Sequence, residues 1–337
     1  MRVVGLALLA VAASPLAAVA DEPEGSAAVF RFQDVSDASL GLWEGEQPVL
    51  VYNHGPIAGP EAPGARPRAC YFHPVYGLDG EVLTGDFPQD HVYHRGIYWA
   101  WPHIKLGERE YELWTARGEL EQRFVRWTAK EATASGAKLT AENGWFVGDK
   151  QLVREEVSAH VLPAAAGGRV LDVTLSWTPL EEPLTLRGAE GKSYGGFNVR
   201  FAPRTRPTIT VPEQAELPGG ALSREGRVAA DLLMTRLPWV DVAGDFALSQ
   251  GQSGAAIFVH PQHRDFPPTW MARHYGLVSV GWPGTEEQTF PPGQPITCRY
   301  RLWIHRGAPL AAQIQAEYEK YRTAATRTDS NRPPQSP

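Results

Sequence analysis

Apolar and polar residues alternate with a period of two along much of this 337-residue chain. Val170 to Trp177 shows it most plainly: Leu171, Val173, Leu175 and Trp177 point one way, Asp172, Thr174 and Ser176 the other. Successive side chains of a strand face opposite sides, so this stretch reads as an antiparallel strand with one buried and one wet face. Gly195 to Phe201 repeats the pattern, with Phe197, Val199 and Phe201 opposite Asn198 and Arg200. Further strands are expected over 28–33, 50–52, 70–76, 97–101, 121–128, 138–143, 152–161, 184–186, 208–211, 239–246, 254–260, 275–280 and 296–305, with proline and glycine punctuation between them. One segment has a helical period instead. Pro309 stands at its first turn, and Leu310, Ile314, Tyr318 and Tyr321 recur on one face. Past Thr323 the chain turns polar. The pattern therefore predicts an all-β protein: a large antiparallel β-sandwich over 21–325 as a single domain, one C-terminal helix, and a disordered tail over 326–337.

Composition narrows the setting. A net charge of -6 and the lack of any lysine-rich stripe argue against a nucleic-acid partner. Met1 to Ala20 reads as a secretory signal peptide: Arg2 supplies the charge, Val3 to Ala13 the apolar region, and Ala18-Val19-Ala20 the small-residue cleavage motif. No later run reaches the roughly 18–20 apolar residues that a membrane helix needs. The mature chain is thus expected in the periplasm or secreted, without a membrane span. Export permits a disulfide between Cys70 and Cys298, the only two cysteines, and two buried thiols are the alternative.

Candidate chemistry gathers in Asp90-His91-Val92-Tyr93-His94-Arg95-Gly96, just before the apolar Ile97-Tyr98-Trp99-Ala100-Trp101. Polar side chains at the mouth of a rigid strand are where sites are usually built. Residues three apart in a strand face opposite ways, so His91 and His94 share a site only if Val92-Tyr93 turns. Asp90 is placed to fix an imidazole tautomer, as acid/base catalysis and metal ligation both require. The catalytic candidates are therefore His91, His94, Asp90, Arg95 and His260, and a divalent metal, if bound, would sit on His91, His94 and His260. Substrate-binding candidates are His73, Tyr93, Trp99, Arg200, Arg301, Trp303 and His305. The last three share a face of the 296–305 strand with Arg299, a face that suits either a cleft floor for a sugar or anion, or a salt-bridged surface under the helix. His103 and His160 read as structural.

Three blocks carry a family resemblance: Phe72-His73-Pro74-Val75-Tyr76; Asp86-Phe87-Pro88 leading into Asp90 to Gly96 and Trp99-Ala100-Trp101; and Ala256-Ile257-Phe258-Val259-His260-Pro261 with Trp270 and Tyr275-Gly276-Leu277. Together they resemble the exported bacterial PmoA-like family, labelled methane oxygenase PmoA. That family usually reads Asp-His-Pro-His-His-Arg-Gly where this chain has Val92 and Tyr93 in place of a proline and a histidine. The resemblance implies an exported β-sandwich similar to the mutarotase-like supersandwiches, in which histidines and carboxylates on the concave sheet move protons on a sugar ring. Fold alone does not fix function. The leading expectation is an exported carbohydrate-active enzyme (lyase, hydrolase or epimerase) acting on a small carbohydrate or oligosaccharide. The alternatives are a non-catalytic glycan-binding or scaffold protein, and a metal-dependent oxygenase as the family label suggests.

Overall fold

The structure is a computed structural model that describes residues 29–59, 66–165, 167–217 and 224–330. The expected signal peptide and the end of the expected tail lie outside these residues. The chain forms β1 (Phe30–Ser36), β2 (Ser39–Glu44), β3 (Gln47–Asn53), β4 (Tyr71–Val75), β5 (Ile97–Ala100), β6 (His103–Leu106) and β7 (Arg109–Tyr111). It continues with β8 (Leu120–Thr133), β9 (Gly136–Val147), β10 (Lys150–Val161), β11 (Arg169–Pro179), β12 (Leu184–Arg187), β13 (Gly196–Arg200) and β14 (Arg204–Thr210). The last elements are β15 (Leu232–Arg236), β16 (Trp239–Phe246), β17 (Gln252–Val259), β18 (Thr269–Ala272), β19 (Leu277–Gly281), β20 (Gln288–Phe290), β21 (Ile296–Arg306) and the helix α1 (Ala311–Ser330).

Two large sheets make the sandwich. Sheet A has nine strands in the order β1-β2-β3-β4-β5-β13-β19-β18-β15, and sheet B eight in the order β14-β16-β17-β21-β11-β10-β9-β8. A four-stranded sheet, β20-β12-β6-β7, stands beside them. The paired strands are antiparallel throughout, as the period of two requires. The chain is an all-β supersandwich with one C-terminal helix.

The inner faces meet through residues that the alternation singles out. Phe197 of sheet A stacks on Tyr300 of sheet B with ring centroids 4.3 Å apart, and Trp101 meets Trp177 at 5.1 Å and Trp145 at 5.7 Å. Leu171, Val173, Leu175 and Trp177 are buried in this core while Asp172, Thr174 and Ser176 are only half-buried. Trp99 lies in the same core, fully buried, and so is packing rather than a substrate platform. Cys70 and Cys298 are free buried thiols, the second of the two readings left open by the sequence.

A carboxylate anchors the middle of sheet B. Glu155 of β10 is fully buried and accepts from Gln122 Nε2 (3.1 Å), Asn143 Nδ2 (3.0 Å), Trp145 Nε1 (2.7 Å) and Trp177 Nε1 (2.9 Å). Those donors come from β8, β9 and β11. Asn143 Nδ2 also reaches Tyr52 Oη of sheet A at 2.8 Å, so the network joins the two layers.

The helix covers the outer face of sheet B. Ala311, Ile314, Tyr318 and Tyr321 pack on Trp239, Ala256, Phe258 and Trp303. Leu310 departs from the expected stripe: it is exposed and precedes the helix, where its N–H donates to Gln313 Oε1 in a capping arrangement. The helix also runs on to Ser330 through residues expected to be tail. Ala324, Ala325 and Arg327 are good helix formers, and Ala325 still buries itself. Among the described residues no helix is long and apolar enough to cross a membrane. The strands absent from the sequence reading (β2, β6, β7, β15, β18 and β20) are short, three to six residues each.

Replacing Glu155 by alanine leaves three buried donors, Gln122 Nε2, Trp145 Nε1 and Trp177 Nε1, without an acceptor and Asn143 with only Tyr52, each orphaned donor costing on the order of 1–3 kcal/mol. Urea unfolding of Glu155→Ala is expected to show at least about 3 kcal/mol of lost stability. A midpoint within error of the parent protein would remove Glu155 from its anchoring role.

Candidate functional site

The site begins with a loop that folds back on itself between Gly85 and β5. His91 N–H donates to Pro88 O (3.1 Å) and His94 N–H to His91 O (2.9 Å). The Val92-Tyr93 turn needed to bring both histidines to one side is therefore present. Arg95 holds this loop from behind. Its Nη1 donates to Val92 O (2.9 Å) and His94 O (2.8 Å), its Nη2 to Arg66 O (2.7 Å), and its guanidinium lies 3.4 Å from the Phe87 ring centroid. At 1% exposure it cannot touch a substrate, so Arg95 positions the loop instead of acting in the chemistry. Gly96 is required by close approach: a Cβ there would come within 2.1 Å of Phe72 O.

On the outer face of sheet A, away from sheet B, the loop meets β13, β18 and the turn before β19. His91 stacks on His94 (4.7 Å, 8°) and on Tyr275 (5.2 Å, 13°), and Tyr93 meets both imidazoles edge-on. Asp90 Oδ2 lies 3.1 Å from His91 Nδ1, and Arg200 Nη2 donates to both Asp90 oxygens at 2.8 and 2.9 Å. Arg200 in turn sits 4.8 Å from the Tyr275 ring centroid. Trp114 closes the far side, edge-on to His94 at 5.6 Å and packed on Tyr194 at 4.3 Å. The histidines, tyrosines and Trp114 of this group, with Lys192, Met271, Arg273 and Leu277, line a pocket of about 180 Å³, and Asp90 and Arg200 stand beside it. Four larger depressions, about 660 Å³ on the small sheet, about 590 Å³ on α1, about 510 Å³ beside His54 and about 280 Å³ beside β20, hold at most one histidine each, so size and chemistry part company here. We assign the site to the smaller pocket because perturbed titratable groups converge there.

Electrostatics divides the two histidines. Burial, with His91 and Arg200 adding positive charge, drives the His94 pKa down to about 2, so His94 is neutral. Burial alone would raise the Asp90 carboxyl, but hydrogen bonds from Arg200 and His91 outweigh it and hold Asp90 below its ordinary range. Burial lifts the phenols, Tyr275 to about 12 and Tyr93 and Tyr194 also upward, so all three are protonated donors at neutral pH. Beside the pocket, Asp231 accepts from Arg273 Nη1 (3.0 Å) and from the His274 backbone N–H (2.8 Å).

Of the residues expected from sequence, Asp90, His91, Tyr93, His94 and Arg200 come together. His260 does not. It continues the outer-facing row of β17, edge-on to Tyr321 of α1 at 5.8 Å, on the opposite side of the sandwich. The metal set of His91, His94 and His260 is therefore split between two faces, and among the described residues no group of three His, Cys, Asp or Glu is placed to hold a metal ion. Arg301, Trp303 and His305 belong to the helix-covered face, the second of the two readings for that strand. Arg301 Nε pairs with Asp172 at 2.6 Å under Tyr321, Trp303 packs against α1, and His305 Nε2 meets buried Asp241 at 2.8 Å. His73 bonds Thr84 Oγ1 at 3.0 Å and does not line the pocket. Burial, aided by Arg95, lowers its pKa to about 4.

Trp114, Lys192, Tyr194, Met271 and Tyr275 were not singled out from the sequence as site residues. Tyr194 before Gly195-Gly196 and Tyr275 before Gly276 share one signal, an aromatic at the point where a loop enters a strand.

Fold and site together define a β-supersandwich protein with a histidine- and tyrosine-lined pocket on one outer face. The chain belongs to the family of unknown function DUF6807, whose profile matches residues 41–319. No curated protein matches the sequence. Among solved structures, a heparan sulfate lyase from Pedobacter heparinus is similar at TM-score 0.41 and 9% identity, over 82% of this chain and 37% of that one. A putative aldose 1-epimerase from Escherichia coli K12 is similar at TM-score 0.33 and 11% identity, over 82% of this chain and 100% of that one. The chain thus spans little more than a third of the lyase's length.

Three histidines lowered by burial, His73, His94 and His263, make stability depend on pH. Burial lowers His94 to about 2, and His73 and His263 to about 4, the last helped by His260, against about 6.5 in an unfolded chain. The unfolded state therefore takes up their protons first. Their contribution is complete above about pH 6.5 and is lost as pH falls from there toward each folded value, at about 1.4 kcal/mol per pH unit per histidine. Urea midpoints are expected to drop between pH 7 and pH 5, and less steeply in His263→Phe. An equally steep drop in that variant would contradict the assignment.

Proposed function

We propose that this protein is an exported carbohydrate-active enzyme that moves protons on a sugar ring, as a lyase or an epimerase. The observation that carries the reading is His91: its ring is held between His94 and Tyr275, its Nδ1 lies beside Asp90, and its remaining edge borders the pocket. A carboxylate at Nδ1 fixes the tautomer and leaves Nε2 for the proton being moved. His94, kept neutral, backs the working imidazole. Tyr93 and Tyr275, protonated at neutral pH, can donate to a developing alkoxide or a leaving oxygen. The aromatic walls of Trp114 and Tyr194 offer stacking surfaces for a sugar's apolar face.

The lining also favours proton transfer over hydrolysis. Glycosidases generally place two carboxyl groups across the scissile bond, about 5–9.5 Å apart. The pocket wall carries none, and the adjacent Asp90 is tied to Arg200. The oxygenase alternative loses ground because its third histidine stands on the other face. Export rests on the leader-like Met1 to Ala20 and on the proposed kinship with the exported PmoA-like proteins.

Incubation with a panel of aldoses, uronates and oligosaccharides in deuterated water, followed by NMR for anomer exchange, deuterium uptake at ring carbons and new unsaturated products, tests the reading. Turnover of one class is expected, falling about 100- to 10,000-fold in His91→Ala with the fold intact. Saturable binding with none of these reactions would sink the enzymatic reading and leave a glycan-binding protein.

A further inference from the structure

The charges around the pocket do not balance. Arg200 is taken up by Asp90, and Arg273 gives Nη1 to Asp231. Lys192 lies in the wall between Gly191 and the stacking Tyr194, with no ion-pair partner among the described residues. Three cations thus face two carboxylates, in a chain whose net charge is -6. The excess is local and positive. It stands where protonated phenols add donors, and where no lining carboxylate would repel an anion. An acidic protein that keeps a positive, aromatic pocket is electrostatically complementary to a small anion carried on a stackable ring.

We propose that the pocket takes a sugar acid, a single pyranose ring whose carboxylate pairs with Lys192, with Arg273 beside it. This rests on, and deepens, the reading of the pocket as a carbohydrate site. Shape agrees with charge: about 180 Å³ is below the roughly 300–1,000 Å³ of pockets that enclose drug-sized ligands, and so suits one ring at the end of a chain. Selectivity follows from the same geometry. A neutral aldose fills the aromatic walls but leaves the ammonium without a counter-charge, whereas a uronate supplies one. The anion is specified as a carboxylate because, of the anionic groups a sugar ring carries, it adds the least bulk in a pocket of about 180 Å³.

Isothermal calorimetry at low salt, with D-glucuronate and D-galacturonate against D-glucose, D-galactose, the uronate methyl esters and N-acetylglucosamine 6-sulfate, tests the inference. The uronates are expected to bind about tenfold or more tightly than their parent aldoses and esters, and the margin should shrink as salt is raised. Lys192→Glu should erase the margin, and Lys192→Arg, which keeps the positive charge, should restore most of it. Lys192 is exposed, so these variants are expected to fold, which thermal melting confirms independently. Equal affinity for uronates and aldoses overturns the proposal, as does a sulfated sugar binding more tightly than the uronates, a margin indifferent to Lys192→Glu, or no binding by any of these sugars. The two readings fail separately. Lys192-dependent uronate binding without turnover defeats the enzyme and keeps the sugar acid, whereas turnover confined to neutral sugars does the reverse.

Discussion

A buried carboxylate holds the sandwich in register. Burying an acceptor as strong as Glu155 costs several kcal/mol unless its lone pairs are filled, and here donors from both flanking strands and from β8 fill them. Two of the donors are indoles, so each hydrogen bond also fixes the orientation of a large ring. Trp145 and Trp177 are the rings that Trp101 packs between, and Trp101 continues directly from β5. The order therefore passes from the carboxylate to the indoles and from the indoles to β5. His94 stands only three residues ahead of that strand. A slip of β10 by one residue would turn the carboxylate away from its donors and expose its apolar row.

Once the inner faces are packed, each sheet has an outer face to cover, and the two are covered by different means. Sheet B takes the helix, whose aromatic side chains seal Phe258 and Trp303 while Arg301 is neutralised by Asp172. Sheet A takes loops. Loops cover incompletely, and the gap they leave is the pocket. The loop Gly85 to Gly96 is braced because Arg95 gives it two hydrogen bonds and a ring contact and ties it to Arg66 O with a third hydrogen bond, and stiffness is what a site built on a loop needs. A guanidinium next to two histidines is used here as a brace, and the histidines are what the brace presents.

This division explains what could be read from the chain. Alternation reports which residues of a strand share a face, and Val170 to Trp177 follows it along its length. It does not report what lies over the second face. Asn198 and Arg200 read as the wet side of β13 but are buried, because the loop carrying Asp90 covers them. Arg301, Trp303 and His305 form a polar row of the same kind, and a helix that follows at once in sequence closes over them. The histidine turn was legible because its parts lie within seven residues. Trp114, Lys192 and Tyr275 were not, since only the pairing of β5 with β13 and of β13 with β19 brings their loops to one place. His260 fails for the matching reason: it shares a motif style with His91 but belongs to a strand of the other sheet.

The two imidazoles of the site are made unequal by their surroundings, and that inequality is the chemical content of the pocket. Two rings stacked 4.7 Å apart repel if both are charged. Burial removes the option from His94, with the charge of Arg200 adding to the effect. Asp90 lies beside the other ring, its Oδ2 3.1 Å from His91 Nδ1. Pairs of titratable groups whose environments push them apart are how a fold assigns separate roles to like residues. The phenols complete the division, since burial holds them protonated and they can only give what His91 takes. An imidazole steadied by a carboxylate, a neutral imidazole behind it and a ring of donors are the parts on which the proposed proton transfer rests. The pocket wall keeps an excess positive charge because Arg200 and Arg273 are offset by Asp90 and Asp231 while Lys192 has no ion-pair partner among the described residues.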